Sequence, residues 1–222
     1  MDYKRAFIEL MCQSGVLLFG DFVTKSGRDT PYFINTGNYK MGSQINALGE
    51  YYARLIHDEV GMDFTSLFGP AYKAIPLVSS TAGALYRLYG ADVPYAFNRK
   101  EEKDHGEGGG IIGNPPKDGD RIVIVEDVVT AGTAVRETIR LFSGIADVSF
   151  PALVVSVDRR ERGTGSLSAL DELRETLGIT VYPIVTIYDI IETLFNREIN
   201  GTVYIDGERR KKIEDYLREY GA

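Results

Sequence analysis

Apolar and polar positions along the chain follow two rhythms. In residues 2–14, Phe7, Ile8, Leu10 and Met11 fall near one face of a 3.6-residue period, which predicts a helix. The stretch that follows, VLLFGDFVTKSGRDTPYFINTG, reads as short extended pieces punctuated by Gly20, the Ser26-Gly27 pair and Pro31. Residues 43–60 then carry Ile45, Leu48, Tyr52, Leu55 and Ile56 on one stripe, the pattern of a second helix. Beyond it the pattern becomes an alternation. TSLFG, VPYAFN, RIVIVEDV, VSFPALVVSVD and TVYPIVTI are short apolar runs that predict strands. Helices are predicted up to about residue 89, over about 132–143, across SLSALDELRETLG and after the last strand.

Near-continuous apolar strands separated by amphipathic helices predict an α/β fold with a central, mostly parallel sheet covered by helices on both faces. The N-terminal extended pieces stand outside this alternation. They are expected to form a small hood, made mainly by about residues 1–40, over one edge of a single domain spanning residues 1–222. The last segment, DGERRKKIEDYLREY, predicts a charged terminal helix and is expected to be a solvated cap.

Composition changes this picture little. The chain has 222 residues, of which 44% are hydrophobic and 26% charged, enough apolar material for a sizeable core. Its net charge of −7 lacks the basic footprint of a nucleic-acid binder. The single cysteine, Cys12, lies in an apolar stretch and is expected to be a packed thiol, and with only two histidines beside it a structural zinc site is not expected. No apolar run reaches membrane-spanning length, and the first ten residues lack a signal-peptide core. The expectation is a cytoplasmic enzyme or binding protein with no nucleic-acid or membrane partner.

The chemistry concentrates in IVIVEDVVTAGTA, residues 122–134. Four apolar residues form a strand, Glu126 and Asp127 fall at its carboxyl end, and small residues lead into a helix. Ligands of open α/β sheets bind outside the carboxyl ends of strands. Small residues let backbone N–H groups approach a phosphate, and the helix N-terminus favours its charge. Thr130 and Thr133 add hydroxyl donors. Two adjacent acids beside a phosphate cradle repel it unless sugar hydroxyls or Mg²⁺ intervene. The simpler reading is a strand followed by a helix capped by Asp127 or Thr130.

This string resembles the phosphoribosyl diphosphate signature of the type I phosphoribosyltransferases. The resemblance implies that Glu126 and Asp127 hold ribose hydroxyls, directly or through metal and water. It also implies that Asp127, Val128, Val129, Thr130, Ala131, Gly132, Thr133 and Ala134 wrap the 5′-phosphate. TKSGRDTPYF, FGPAYKAIP, FNRKEEKDHGEGG and DRRERG occur in the order of the orotate phosphoribosyltransferase family, and together with the signature the likeness covers residues 24–163. Alone, each of these strings reads as an ordinary hairpin or charged loop. Glu126 stands where aspartate is common, and Ala74 where glycine is frequent; neither removes a functional group.

What the resemblance implies is specific. The reaction is transfer of a phosphoribosyl group to orotate with release of diphosphate, aided by Mg²⁺ bound mainly through diphosphate, ribose hydroxyls and water rather than by a protein metal site. Lys25, Tyr72, Lys73, Arg99, Lys100, Lys103 and His105 contact the phosphoribosyl diphosphate. Phe33 and Ile34 lie along orotate, and Thr130 and Arg159 recognise it, Arg159 being suited to its carboxylate. Lys103 is expected to be the main charge-stabilising residue and His105 to assist proton balance, beside Glu126 and Asp127 as catalytic carboxylates. The glycine-rich run from Asn98 to Gly110 reads as a lid that closes over the diphosphate. In the family this loop reaches the partner's site, which implies a homodimer with shared active sites. The alternatives are a purine or uracil phosphoribosyltransferase and a non-catalytic ligand sensor on the same fold.

Overall fold

The computed structural model describes residues 3–24, 27–100, 110–129, 132–163 and 165–222. The chain opens with helix α1 (Tyr3–Gln13), whose Phe7, Ile8, Met11 and Cys12 are buried. Strands β1 (Leu17–Val23) and β2 (Asp29–Ile34) pair antiparallel as a separate two-stranded sheet, and a 3₁₀ turn (Thr36–Asn38) follows. Helix α2 (Gly42–Leu55) does not continue regularly to residue 60: a wider π-type turn covers Ile56–Val60 and ends at Gly61.

The remaining elements build the main layer. They are β3 (Ser66–Gly69), α3 (Ala74–Tyr89), β4 (Tyr95–Asn98), β5 (Ile111–Gly113), β6 (Arg121–Val125), α4 (Thr133–Ser143), β7 (Ser149–Asp158), α5 (Ala169–Leu177), β8 (Thr180–Thr186) and α6 (Ile187–Leu194). A short hairpin, β9 (Glu198–Ile199) and β10 (Thr202–Val203), precedes helix α7 (Gly207–Tyr220). The six-stranded sheet has the order β5-β4-β3-β6-β7-β8, parallel except for β5, which pairs antiparallel with β4. The predicted mostly parallel, helix-flanked sheet is therefore observed. The three-residue β5 was too short to register as an apolar run, and it closes the charged segment as an excursion between two adjacent strands.

The strand sequences explain why both faces are covered. Along β6, Val123 and Val125 pack into a cluster with α1, α2, α3 and α6, whereas Ile124 packs with Val135 of α4 and Leu173 of α5, and Ile122 with Phe68 and Phe142. Alternate residues thus feed opposite layers, and every position from 122 to 125 is apolar because each is buried. Helices α2 and α3 approach closely at Gly49, where a Cβ would stand 2.6 Å from the Ser80 carbonyl oxygen. Helix boundaries follow local chemistry. The Ser168 hydroxyl caps α5 by accepting from Asp171 N–H at 3.0 Å, and Thr186 and Asp189 form a reciprocal capping box on α6.

One expectation is corrected. Helix α7 is not a solvated cap, because Ile213, Tyr216 and Leu217 are buried and Tyr216 meets the Tyr32 ring of β2 edge-on at 5.9 Å. Its charged residues form i,i+4 pairs such as Arg210–Glu214 and Lys211–Asp215, and these dominated its sequence pattern while three core residues tied it to the hood.

Candidate active site

Strand order locates the crevice before any side chain is considered. The chain leaves β3 for β4 on one side and later returns to β6 on the other, so the connections diverge between β3 and β6. Such a switch point opens a cleft at the carboxyl ends of the two strands. The β3–α3 and β6–α4 loops flank it.

On the β3 side, the loop is tied to β4 by the Ala71 N–H, which donates to Asn98 Oδ1 at 2.7 Å. Tyr72 projects into solvent, and the Lys100 ammonium lies 5.3 Å from its ring centroid. Lys73 extends 63% exposed across the crevice, with Nζ 3.4 Å from Asp127 Oδ2 and 3.4 Å from Thr36 Oγ1. Three segments remote in sequence therefore meet at one carboxylate.

On the β6 side, the backbone is held from behind. Tyr52 OH donates to the Glu126 carbonyl at 2.7 Å, and Ser156 donates to the Asp127 carbonyl through its N–H at 2.9 Å and its hydroxyl at 2.6 Å. Glu126 Oε1 accepts the Asp127 N–H at 2.9 Å, and Asp127 Oδ1 accepts the Val128 N–H at 2.7 Å. Val129 is buried against the α4–α5 side. Helix α4 begins at Thr133 after Gly132, which has φ +69°; a Cβ there would lie 2.6 Å from Leu173 Cδ2. Neither Asp127 nor a threonine occupies the cap position of α4: Gly132 does, which leaves the Asp127 carboxylate facing the crevice. Ala134 lies in the first turn of the same helix.

Glu126 is 8% exposed, and burial, reinforced by the neighbouring Asp127 charge, pushes its carboxyl up to about 8. The folded protein then holds a proton that the unfolded chain releases at lower pH. Stability from this group is present below about pH 4.5 and is lost as pH rises to about 8. Glu126→Gln cannot ionise, so its melting temperature is expected to gain on the wild type between about pH 5 and about pH 9 in thermal unfolding. A gap that stays constant with pH would contradict this.

The end of β7 forms the third wall. Arg159 is 9% exposed, lies 4.8 Å over the Tyr32 ring, and donates from Nε to Glu161 Oε1 at 2.8 Å. Tyr32 OH donates to the same oxygen at 2.8 Å. Arg159 Nη2 is buried and lacks a hydrogen bond of good geometry, although Glu161 Oε1 is 2.6 Å away. In the hood, Phe33 is half-buried and lies 5.7 Å from the Phe22 ring, whereas the Ile34 side chain is buried in the core. Arg99 N–H donates to Gly110 O at 2.7 Å and closes the base of the charged excursion. Lys25, Lys103, His105, Thr130 and Ala131 lie outside the described residues.

The structure thus brings Lys73 and Asp127 together, pairs Tyr72 with Lys100, and sets Arg159 between the hood and the end of β7. Sequence reasoning missed Thr36, Tyr52, Ser156 and Glu161. Each acts through a partner 29 to 129 residues distant or through a backbone carbonyl, which no local spacing reveals.

An acidic pair, a lysine and a glycine-led helix start at the switch point of this sheet define a phosphoribosyltransferase, and the phosphoribosyl transferase domain family matches residues 35–164. Orotate phosphoribosyltransferase of Clostridium acetobutylicum is 52% identical over 221 residues, covering 100% of this chain and 99% of that one. The Cronobacter sakazakii enzyme of the same name is 46% identical over 220 residues, 99% of each chain. The crystal structure of orotate phosphoribosyltransferase from Francisella tularensis superposes with a TM-score of 0.84 at 33% identity, covering 98% of this chain and 100% of that one. The chain belongs to the orotate phosphoribosyltransferase family.

Proposed function

We propose that the protein transfers the 5-phosphoribosyl group from 5-phosphoribosyl 1-diphosphate to orotate, giving orotidine 5′-monophosphate and diphosphate in pyrimidine biosynthesis. It is a pentosyltransferase by family. The observation that carries the reading is the meeting of Lys73 and Asp127 across the β3/β6 crevice, in front of the helix that the signature opens.

The reaction breaks the C1–O bond to diphosphate and forms a C1–N bond to the pyrimidine. Positive charge grows on the ribose and negative charge on the leaving group, so fixed charges on each side stabilise the separation. Asp127, with Glu126 behind it, takes the ribose hydroxyls. The loop of residues 128–134 and the N-terminus of α4 take the 5′-phosphate. Lys73, Arg99, Lys100, Lys103 and His105 receive the diphosphate, with Lys25 reaching it from the hood. Arg159, held in place by its ion pair with Glu161, meets the orotate carboxylate beside Phe33 and Ile34.

Among the described residues no group of three or more His, Cys, Asp and Glu stands ready to cage a metal. The crevice offers a single carboxylate, Asp127, with the Lys73 ammonium beside it; one oxygen-bearing group fits a Mg²⁺ ion carried in chiefly on the diphosphate, and the lysine fits the diphosphate itself. When bound, Mg²⁺ supplies charge neutralisation of the leaving diphosphate. The enzyme acts as a cytoplasmic homodimer whose charged excursions complete each other's sites; among the described residues no helix is long and apolar enough to cross a membrane.

The fold alone does not select the base, since adenine phosphoribosyltransferase of Thermoanaerobacter pseudethanolicus superposes with a TM-score of 0.51 at 14% identity. The test is loss of orotate absorbance with 5-phosphoribosyl 1-diphosphate and Mg²⁺. Turnover is expected with orotate and absent with adenine, hypoxanthine or uracil. Turnover with one of those bases and none with orotate would overturn the assignment.

A further inference from the structure

The Asp127 carboxylate has two oxygens with different anchors. Oδ1 is held by its own loop, through the Val128 N–H at 2.7 Å. Oδ2 is held from 91 residues away, by the Thr36 hydroxyl at 2.6 Å, a short charge-assisted bond. Thr36 is half-buried at the start of the 3₁₀ turn that follows β2. That turn is itself fixed: Asn35 N–H donates to Val16 O at 2.8 Å, Asn38 N–H to Asn35 O at 3.0 Å, and the Asn38 side-chain amide to Gly15 O at 2.6 Å. The hydroxyl oxygen of Thr36 also faces Lys73 Nζ at 3.4 Å, so lysine, hydroxyl and carboxylate form a closed triangle.

We infer that Thr36 is a positioning residue of the hood that sets the rotamer of Asp127 for the ribose hydroxyls. The inference rests on the ribose role proposed above for Asp127. Without the threonine hydroxyl, Oδ2 keeps only the long contact with the exposed Lys73 ammonium at 3.4 Å, and the carboxylate can turn about its side-chain bonds with that mobile side chain. The threonine hydroxyl holds that oxygen from the side opposite its own loop while leaving it further capacity to accept from a sugar hydroxyl. Because β2 also carries Phe33 and Ile34, the same turn joins the strand that lines the base to the carboxylate that lines the ribose. A hood displaced by a poorly fitting base would then loosen Asp127.

The test compares Thr36→Val, which keeps the shape and loses the hydroxyl, with Thr36→Ser, which keeps the hydroxyl. Binding of 5-phosphoribosyl 1-diphosphate with Mg²⁺ is measured by calorimetry without any base, so the result stands whichever base is the acceptor. Affinity is expected to fall about tenfold in the valine variant, the scale of one charge-assisted hydrogen bond, and to be largely retained in the serine variant. In steady state, KM for 5-phosphoribosyl 1-diphosphate is expected to rise while KM for orotate changes little. Equal affinity in wild type and the valine variant would overturn the inference, as would equal losses in the valine and serine variants or matching rises in both KM values. If the wild type binds no 5-phosphoribosyl 1-diphosphate, the proposed function fails with it. If the wild type binds and the valine variant binds equally, only the role of Thr36 fails.

Discussion

Asp127→Asn is expected to lower kcat/KM for 5-phosphoribosyl 1-diphosphate by roughly 10²- to 10³-fold, the loss typical of one preorganised polar group at a charged transition state. The geometry makes this substitution more severe than its near-equal size suggests. One side-chain atom at position 127 must accept the Val128 N–H, as Oδ1 does now at 2.7 Å. An asparagine meets that need with its carbonyl oxygen and so turns its NH₂ toward Thr36 and Lys73. Neither the threonine hydroxyl nor a ribose hydroxyl can then donate to it. The lysine also loses the anion 3.4 Å away, so the same change removes one charge of the crevice and leaves the other uncompensated. Backbone anchors on the Asp127 carbonyl from Ser156 are untouched, and the fold is expected to survive. Steady-state kinetics with far-ultraviolet circular dichroism as control makes the measurement. A decrease of only about threefold would remove Asp127 from the chemistry.

How far the sequence foretells such a site depends on whether the relevant interaction is local. The β6 strand and its two acids were legible because apolar run, acids and small-residue turn are contiguous and physically linked. The alternation of strands and helices was legible for a similar reason: residues 122–125 are buried on both faces and therefore apolar throughout. By contrast, α7 looked solvated because its ion pairs outnumber its three buried residues, and burial of Ile213, Tyr216 and Leu217 depends on a strand nearly 200 positions earlier. Strand β5 was missed because three residues carry too little pattern and its pairing with β4 spans the charged excursion. Arg159 was legible as a cation after a strand, but not as a side chain held by Glu161 and stacked on Tyr32. The candidate residues were thus readable one loop at a time. Their mutual support was not, because it is made by side chains and carbonyls that only the folded sheet brings together.

Lys103→Ala is expected to reduce kcat by about 10²-fold or more while leaving KM for orotate nearly unchanged. The residue lies outside the described segments, but its flanks are fixed on both sides. Asn98 of β4 pairs with Ile111 of β5, Arg99 N–H donates to Gly110 O at 2.7 Å, and Lys100 already stands beside Tyr72 at the rim of the crevice. The excursion therefore leaves from and returns to the carboxyl end of β4, the same edge of the sheet as the β3–α3 and β6–α4 loops. A cation there contributes where charge accumulates on departing diphosphate, which affects the transition state more than ground-state orotate. The same variant tests whether sites are shared. If the excursion completes the partner's site, a mixed dimer of Lys103→Ala and Asp127→Asn chains has one site with both wild-type groups. Mixing the two inactive proteins in equal amounts then restores roughly a quarter of wild-type activity, since half the dimers are mixed and each has one intact site. If each excursion serves its own chain, every site in the mixture lacks one group and no activity returns. Full activity of Lys103→Ala alone would remove the residue from catalysis, and an inactive mixture would assign the excursion to its own subunit.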